Sequence, residues 1–79
     1  MDKMKVLVVD DESRMRKLVS DFLTRKGYAV IEAADGVEAV DTFMENKDIA
    51  LIILDVMMPR MDGWEVCRQI RKDSKVPII

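Results

Sequence analysis

Histidine is absent from the 79-residue sequence, and cysteine occurs only once. Without imidazole or paired thiolate ligands, Zn²⁺ and Cu²⁺ sites are disfavoured. The single Cys67 has no partner for an intrachain disulfide, and its place among apolar positions of a predicted helix favours a buried, inert thiol. This cysteine usage predicts a reducing, cytoplasmic setting.

Glycine and proline are scarce, with 3 and 2 residues, and no low-complexity tract occurs, so the composition is that of a globular chain. The net charge of −2 comes from interspersed charges of both signs, which argues against nucleic-acid binding by this segment. The first apolar run, residues 6–9, is too short for a signal peptide or a membrane span. We therefore expect one small domain over residues 1–79, with no membrane partner.

Short apolar runs predict four strands, at residues 6–9, 29–33, 51–54 and 76–79, of which 29–33 is the weakest and resembles an edge strand. The runs lack alternation, as expected of strands that are buried on both faces of a parallel sheet.

Three helices are predicted between these strands. Ser13 is placed to cap the first helix and Gly27 to end it; Asp35 caps the second helix, with Glu38 as its capping-box partner, and that helix ends near Asn46. The third helix covers residues 64–72, with Trp64 partly covered at its start. The predicted inner faces are Met15, Leu18, Val19, Phe22 and Leu23, then Val37, Val40, Phe43 and Met44, then Val66, Cys67 and Ile70. The order β-α-β-α-β-α-β predicts an α/β fold with a parallel sheet between helical layers.

Acidic residues follow two of the core strands. Asp10, Asp11 and Glu12 come directly after residues 6–9, and Asp55 comes directly after residues 51–54. In an open α/β sheet, ligands bind outside the carboxyl ends of the strands, and these acids converge there if the two strands are neighbours. Clustered carboxylates favour a hard divalent cation, and Mg²⁺ suits an all-oxygen site. The alternative is that Asp10 and Asp11 cap a helix and that Asp55 opens a turn before Pro59.

Two segments of the sequence resemble one family. Residues 6–12 read VLVVDDE and residues 54–63 read LDVMMPRMDG, and together they resemble the receiver domain of bacterial two-component response regulators. The resemblance implies a flavodoxin-like, doubly wound sheet with strand order 2-1-3-4-5. It also implies that Asp55 is the phosphoacceptor and that Mg²⁺ is bound by Asp10, Asp11, Asp55 and the backbone carbonyl of Met57. Pro59 and Gly63 match the residues that shape the acceptor loop, while Glu12 matches a position outside the direct metal ligands.

The same resemblance implies partners and a reaction. A histidine kinase would donate the phosphoryl group, and an output domain or protein would receive the signal. A rival hypothesis is that the protein is an enzyme, a phosphatase or phosphotransferase with an aspartate nucleophile. Such enzymes typically carry a second Asp two residues after the nucleophile as acid or base, and this sequence has Met57 at that position. Nucleotide binding is disfavoured because no glycine-rich phosphate loop follows a strand.

The resemblance implies that receivers continue beyond the fourth strand with a fourth helix, a fifth strand and a fifth helix. In the family, a Ser or Thr after the fourth strand and a Lys after the fifth strand contact the phosphoryl group. The chain is therefore expected to be the N-terminal part of a receiver, truncated after the fourth predicted strand (residues 76–79), with self-phosphorylation and dephosphorylation impaired. The alternative function is a folding or assembly fragment that has lost the signalling chemistry. In either case the exposed edge of the last strand predicts self-association or a partner chain.

Overall fold

The computed structural model of the chain describes residues 3–55 and 63–79. Strands and helices alternate through these residues, as predicted from the sequence. In chain order they are β1 (Lys5–Val9), α1 (Ser13–Arg25), β2 (Ala29–Ala33), α2 (Gly36–Glu45), β3 (Ile49–Leu54) and α3 (Gly63–Arg71).

The sheet is parallel, with strand order β2-β1-β3. The central strand β1 is covered on both faces, since Val6, Leu7, Val8 and Val9 are each at most 2% exposed. This burial explains why the run contains no alternating polar residues. The weaker strand β2 lies at an edge, which confirms the prediction for residues 29–33.

The predicted fourth strand is shorter than expected. Residues 76–79 meet β3 through an isolated parallel bridge between Ile52 and Ile78. The N–H of Ile52 donates to the Pro77 carbonyl and the N–H of Ile79 donates to the Ile52 carbonyl, each at 2.9 Å, and the N–H of Leu54 donates to the Ile79 carbonyl at 3.0 Å. The Pro77 carbonyl faces β3, but Pro77 has no N–H to donate there, so the pairing does not extend toward Val76. The prediction of a full strand was wrong for this reason, although the segment does lie beside β3.

Two of the predicted helix signals are confirmed and one is wrong. The Asp35 side chain accepts the N–H of Glu38 at 2.9 Å and caps α2. Gly27, with φ of +99°, follows the end of α1. The cap of α1 is Glu12 rather than Ser13, because Glu12 has the extended backbone (φ −91°, ψ 113°) and Ser13 is already helical.

The main core lies between the sheet and the pair α2 and α3. Phe43, Ala39, Val66 and Ile70 are fully buried against a set of sheet residues that includes Leu7, Val9, Ile52 and Leu54. The alternate β1 residues, Val6 and Val8, point to the other face. Helix α1 packs against β1 and β2.

Helix faces were predicted less well than helix bounds. Met15, Leu18 and Phe22 are 46%, 65% and 57% exposed, so they are not part of the core. The side of α1 that is turned to the sheet includes Ser20 and the half-buried residues Val19 and Leu23, which shifts the buried stripe around the helix. In α2, Ala39 and Phe43 are buried while Met44 is 36% exposed.

Two single-residue predictions also need correction. Trp64 was expected to be partly covered, but it is 72% exposed because it lies on the outer side of the first turn of α3. Cys67 is a free thiol that packs against the main core but is only half-buried. Within residues 3–55 and 63–79, no helix is both long enough and apolar enough to cross a membrane.

Candidate functional site

The site is built at the carboxyl ends of β1 and β3. Val9 and Leu54 are paired across these strands, so the residues that follow them, Asp10 and Asp55, emerge side by side. The N–H of Asp55 donates to the Val9 carbonyl at 3.0 Å, and the N–H of Asp10 donates to the Ala33 carbonyl at 3.2 Å. The backbone at both aspartates is therefore tied to a neighbouring strand.

Three carboxylates meet at this edge of the sheet. Asp10, Asp11 and Asp55 each offer an oxygen, and the three oxygens lie within 4.8 Å of one another. Asp10 and Asp55 are half-buried, whereas Asp11 is exposed. The strand neighbourhood that the acids needed in order to converge is thus present.

This arrangement suits a divalent cation. Two carboxylates about 5 Å apart repel by about 3 kcal/mol at the effective dielectric constant typical of protein surfaces, and a bound cation relieves that repulsion for all three pairs. The group consists of oxygen donors only, and the exposed side at Asp11 leaves room for water ligands. These are the preferences of Mg²⁺, which keeps several waters and takes one or two carboxylates.

A tight turn fixes the first two acids. Oδ1 of Asp10 accepts the N–H of Glu12 at 2.9 Å, and the Glu12 carbonyl accepts the N–H of Arg16 at 3.0 Å, which begins α1. Among the described residues the group of converging acids does not include Glu12, which is exposed at the helix cap.

Sequence reasoning missed Arg16. Its Nη1 donates to the backbone carbonyl of Asp10 at 2.7 Å, and its Nε donates to Oε1 of Glu32 at 3.1 Å. The side chain is only 19% exposed. The signal for this contact is faint: a helical arginine six residues after Asp10, and an acid near the end of β2 in register with Val8.

Three further predicted site residues follow Asp55. Met57 and Pro59 lie outside the described residues. Gly63 is buried and is the first residue of α3. Its predicted role in shaping the acceptor loop, like that of Pro59, stays a prediction.

Comparison with known proteins identifies the family. The model of the response regulator receiver domain matches residues 6–79. The chain belongs to this family. This match confirms the resemblance drawn from residues 6–12 and 54–63. Receiver domains are signalling modules of two-component systems.

Among curated relatives, this receiver sequence is 54% identical over 76 residues to the transcriptional regulatory protein ResD of Bacillus subtilis, covering 95% of this chain and 31% of ResD. It is 53% identical over 78 residues to the "Probable transcriptional regulator ycf27" of Guillardia theta, covering 98% of this chain and 30% of that protein. The chain therefore spans about a third of the length of these relatives.

Solved receivers share the fold. The chemotaxis protein CheY4 of Vibrio cholerae superposes with a TM-score of 0.92 at 40% identity, covering 98% of this chain and 66% of CheY4. The response regulator TrrA of Thermotoga maritima, solved in complex with Mg²⁺-BeF, gives a TM-score of 0.86 at 40% identity, covering 91% of this chain and 62% of TrrA. The predicted flavodoxin-like fold is confirmed by these matches.

Proposed function

We propose that the chain is a phosphoacceptor module in which Asp55 receives a phosphoryl group from a histidine kinase. The observation that carries this proposal is the meeting of three carboxylate oxygens within 4.8 Å at the carboxyl ends of β1 and β3. Asp10, Asp11, Asp55 and the backbone carbonyl of Met57 are the proposed holders of Mg²⁺. When bound, the ion neutralises charge on the phosphoryl oxygens and so permits attack by a carboxylate.

In the proposed transfer, a carboxylate oxygen of Asp55 attacks the phosphorus that is carried on a kinase imidazole. The new O–P bond forms as the N–P bond breaks, and the imidazole, protonated at its other ring nitrogen, leaves as a neutral ring. Asp55 suits this role because its backbone is fixed by the hydrogen bond to Val9 and its side chain is half-buried at the end of β3. The product is an acyl phosphate.

Relatives support the cofactor and the setting. TrrA was solved in complex with Mg²⁺-BeF, which supports magnesium as the ion for this chain as well. ResD is named as a transcriptional regulatory protein and is about three times as long as the segment matched here. We therefore propose that this receiver acts within a longer regulator and passes its phosphorylated state to an output domain.

The test combines metal binding with phosphorylation. Mg²⁺ is titrated by calorimetry, and the chain is then incubated with acetyl phosphate and Mg²⁺ before intact mass spectrometry. We expect saturable Mg²⁺ binding and a single added phosphoryl group, which Asp55→Asn abolishes because an amide oxygen is a far weaker nucleophile than a carboxylate.

Asp48→Asn is the matched control. Asp48 precedes the opposite end of the same strand, β3, and the side-chain hydrogen bond from Lys5 lowers the pKa of its carboxyl below the ordinary 3.8. The control therefore removes one ionised aspartate without touching the site, and phosphorylation should be unchanged. Equal phosphorylation of the parent and of Asp55→Asn would show that Asp55 is not the acceptor.

A further inference from the structure

Arg16 makes a specific contact with the backbone of the acidic site. Its Nη1 donates to the carbonyl of Asp10 at 2.7 Å, a short hydrogen bond that is strengthened by the guanidinium charge. The carbonyl of Asp10 belongs to the peptide group that joins Asp10 to Asp11. Holding this oxygen therefore fixes the plane of that peptide and the direction in which the Asp11 side chain leaves the backbone.

The guanidinium is itself held in place. Its Nε donates to Oε1 of Glu32 at 3.1 Å, and Glu32 lies on β2 in register with Val8 of β1. Because both contacts come from one rigid, planar group that is only 19% exposed, the position of the Asp10 carbonyl is set relative to the edge strand. Glu32 also offsets the positive charge that Arg16 brings near a cation site.

From these contacts we infer that Arg16, braced by Glu32, is a positioning residue that orients the Asp10–Asp11 pair for Mg²⁺. This inference rests on the proposed function of the acidic site. Arg16 does not touch the ion or the phosphoryl group in this role. It acts through the peptide group between the two ligands.

A purely electrostatic role for Arg16 makes the opposite prediction. A positive charge near three carboxylates disfavours a second cation, so removing the charge alone should tighten Mg²⁺ binding. Loss of positioning should weaken it. The sign of the change therefore separates the two roles, and Arg16→Lys is decisive because lysine keeps the charge but lacks the planar fork that reaches both acceptors.

The experiment measures the Mg²⁺ dissociation constant by calorimetry for the parent, Arg16→Lys, Arg16→Met and Glu32→Ala. Residues that orient metal ligands typically contribute about tenfold or more to affinity. We expect Arg16→Met to weaken Mg²⁺ binding about tenfold, Arg16→Lys to weaken it too, and Glu32→Ala to weaken it less. Glu32→Ala should weaken Mg²⁺ binding less in the Arg16→Met background than in the parent, since the positioning effect of Glu32 acts through Arg16 and only the effect of its charge remains.

Arg14→Met is the matched control, because Arg14 is an exposed arginine on the same helix and its loss changes the net charge equally. Its Mg²⁺ affinity should stay within twofold of the parent, about 0.4 kcal/mol. Unchanged or tighter binding by both Arg16 variants, or additive effects of Arg16 and Glu32, would overturn the inference.

A second measurement in the metal-free chain separates this inference from the proposed function. The N–H of Glu12 donates to Oδ1 of Asp10, so its hydrogen exchange reports on the turn that carries both acids. We expect faster exchange at Glu12 in Arg16→Met and not in Arg14→Met, with thermal unfolding followed in parallel to correct for global stability. A parent that fails to bind Mg²⁺ but shows this exchange pattern contradicts the proposed function alone. A parent that binds Mg²⁺ with both Arg16 variants unchanged contradicts the positioning role alone.

Discussion

At the start of α2, the Asp35 carboxylate accepts the N–H of Glu38 at 2.9 Å. The first N–H groups of a helix have no partner within the helix, so a side-chain acceptor at the cap satisfies one of them. At the start of α1 the cap is Glu12, which makes no side-chain cap hydrogen bond. The two helices therefore begin with different local chemistry, although both are preceded by an acid.

This difference gives a prediction at the residue scale. Asp35→Ala should lower the free energy of unfolding by about 1 kcal/mol, because the helix loses its cap. Ser13→Ala is the control and should change it by no more than about 0.5 kcal/mol, since Ser13 is an exposed residue within the helix. Urea denaturation followed by circular dichroism measures both. A loss at Ser13 as large as at Asp35 would mean that Ser13 is the effective cap.

Sequence patterns predicted single caps and turns when the signal was local. Asp35 and Gly27 satisfy rules that depend on a few neighbouring residues. Ser13 satisfied the same rule, but the helix begins one residue earlier than a Ser13 cap requires, after the turn in which Asp10 accepts the N–H of Glu12. The Arg16 contacts were missed because they join residues that are brought together only by the register of β1 with β2.

At the scale of elements, apolar spacing predicted where helices occur better than which face is buried. In α1 the apolar residues spread over a wider arc than the sheet covers, so Leu18 and Phe22 remain exposed while Val19 and Leu23 are half-buried. Spacing alone cannot choose between adjacent stripes, because residues three and four apart share one face of a helix. For residues 76–79, the missing N–H of Pro77 shortened the pairing of a run that was apolar enough for a full strand.

The two phenylalanines test this difference between helices. Phe43 in α2 is fully buried, whereas Phe22 in α1 is 57% exposed. The centroid of the Phe22 ring lies 5.5 Å from Lys26 Nζ. Phe43→Ala should lower the free energy of unfolding by about 3 to 5 kcal/mol, and Phe22→Ala by about 0.5 kcal/mol, the value of an exposed cation–π contact. Chemical denaturation of both variants measures the contrast.

A domain of this size has a free energy of unfolding of only about 4 to 12 kcal/mol, so Phe43→Ala alone could leave too little folded protein to analyse. Phe43→Leu is therefore the graded variant, with an expected loss of about 1 to 2 kcal/mol, and Phe22→Leu is its match. Equal losses at the two positions would show that α1 buries Phe22 in solution.

For the molecule as a whole, the fold follows from the order of its elements. Alternating strands and helices dictate a parallel sheet, and strand order β2-β1-β3 brings the ends of β1 and β3 together. The convergence of Asp10, Asp11 and Asp55 therefore follows from the strand order, which the alternation of strands and helices leaves open and which the family resemblance implied. Met57 and Pro59 lie outside the described residues, so the roles that the resemblance implies for them in the acceptor loop stay predictions.

The backbone edge at residues 76–79 favours association of the 79-residue chain. Residues 76–79 border β3, and the hydrogen bonds made by Pro77 and Ile79 leave the backbone groups of Ile78 pointing away from β3, next to an Ile79 side chain that is 76% exposed. Such an edge pairs readily with another strand. We therefore expect a second copy of the chain to pair there, giving a mass above that of a monomer in size-exclusion light scattering that rises with concentration.

Ile78→Pro should reduce this association, since proline removes the outward N–H while the bonds to β3 come from its neighbours. Phe22→Ser is the control for the exposed face of α1, which could associate by apolar contact instead. Loss of association in Ile78→Pro but not in Phe22→Ser assigns the contact to the edge, and the reverse assigns it to α1. A parent chain that stays monomeric at every concentration contradicts the prediction, because neither the edge at residues 76–79 nor the exposed face of α1 would then bind a second copy.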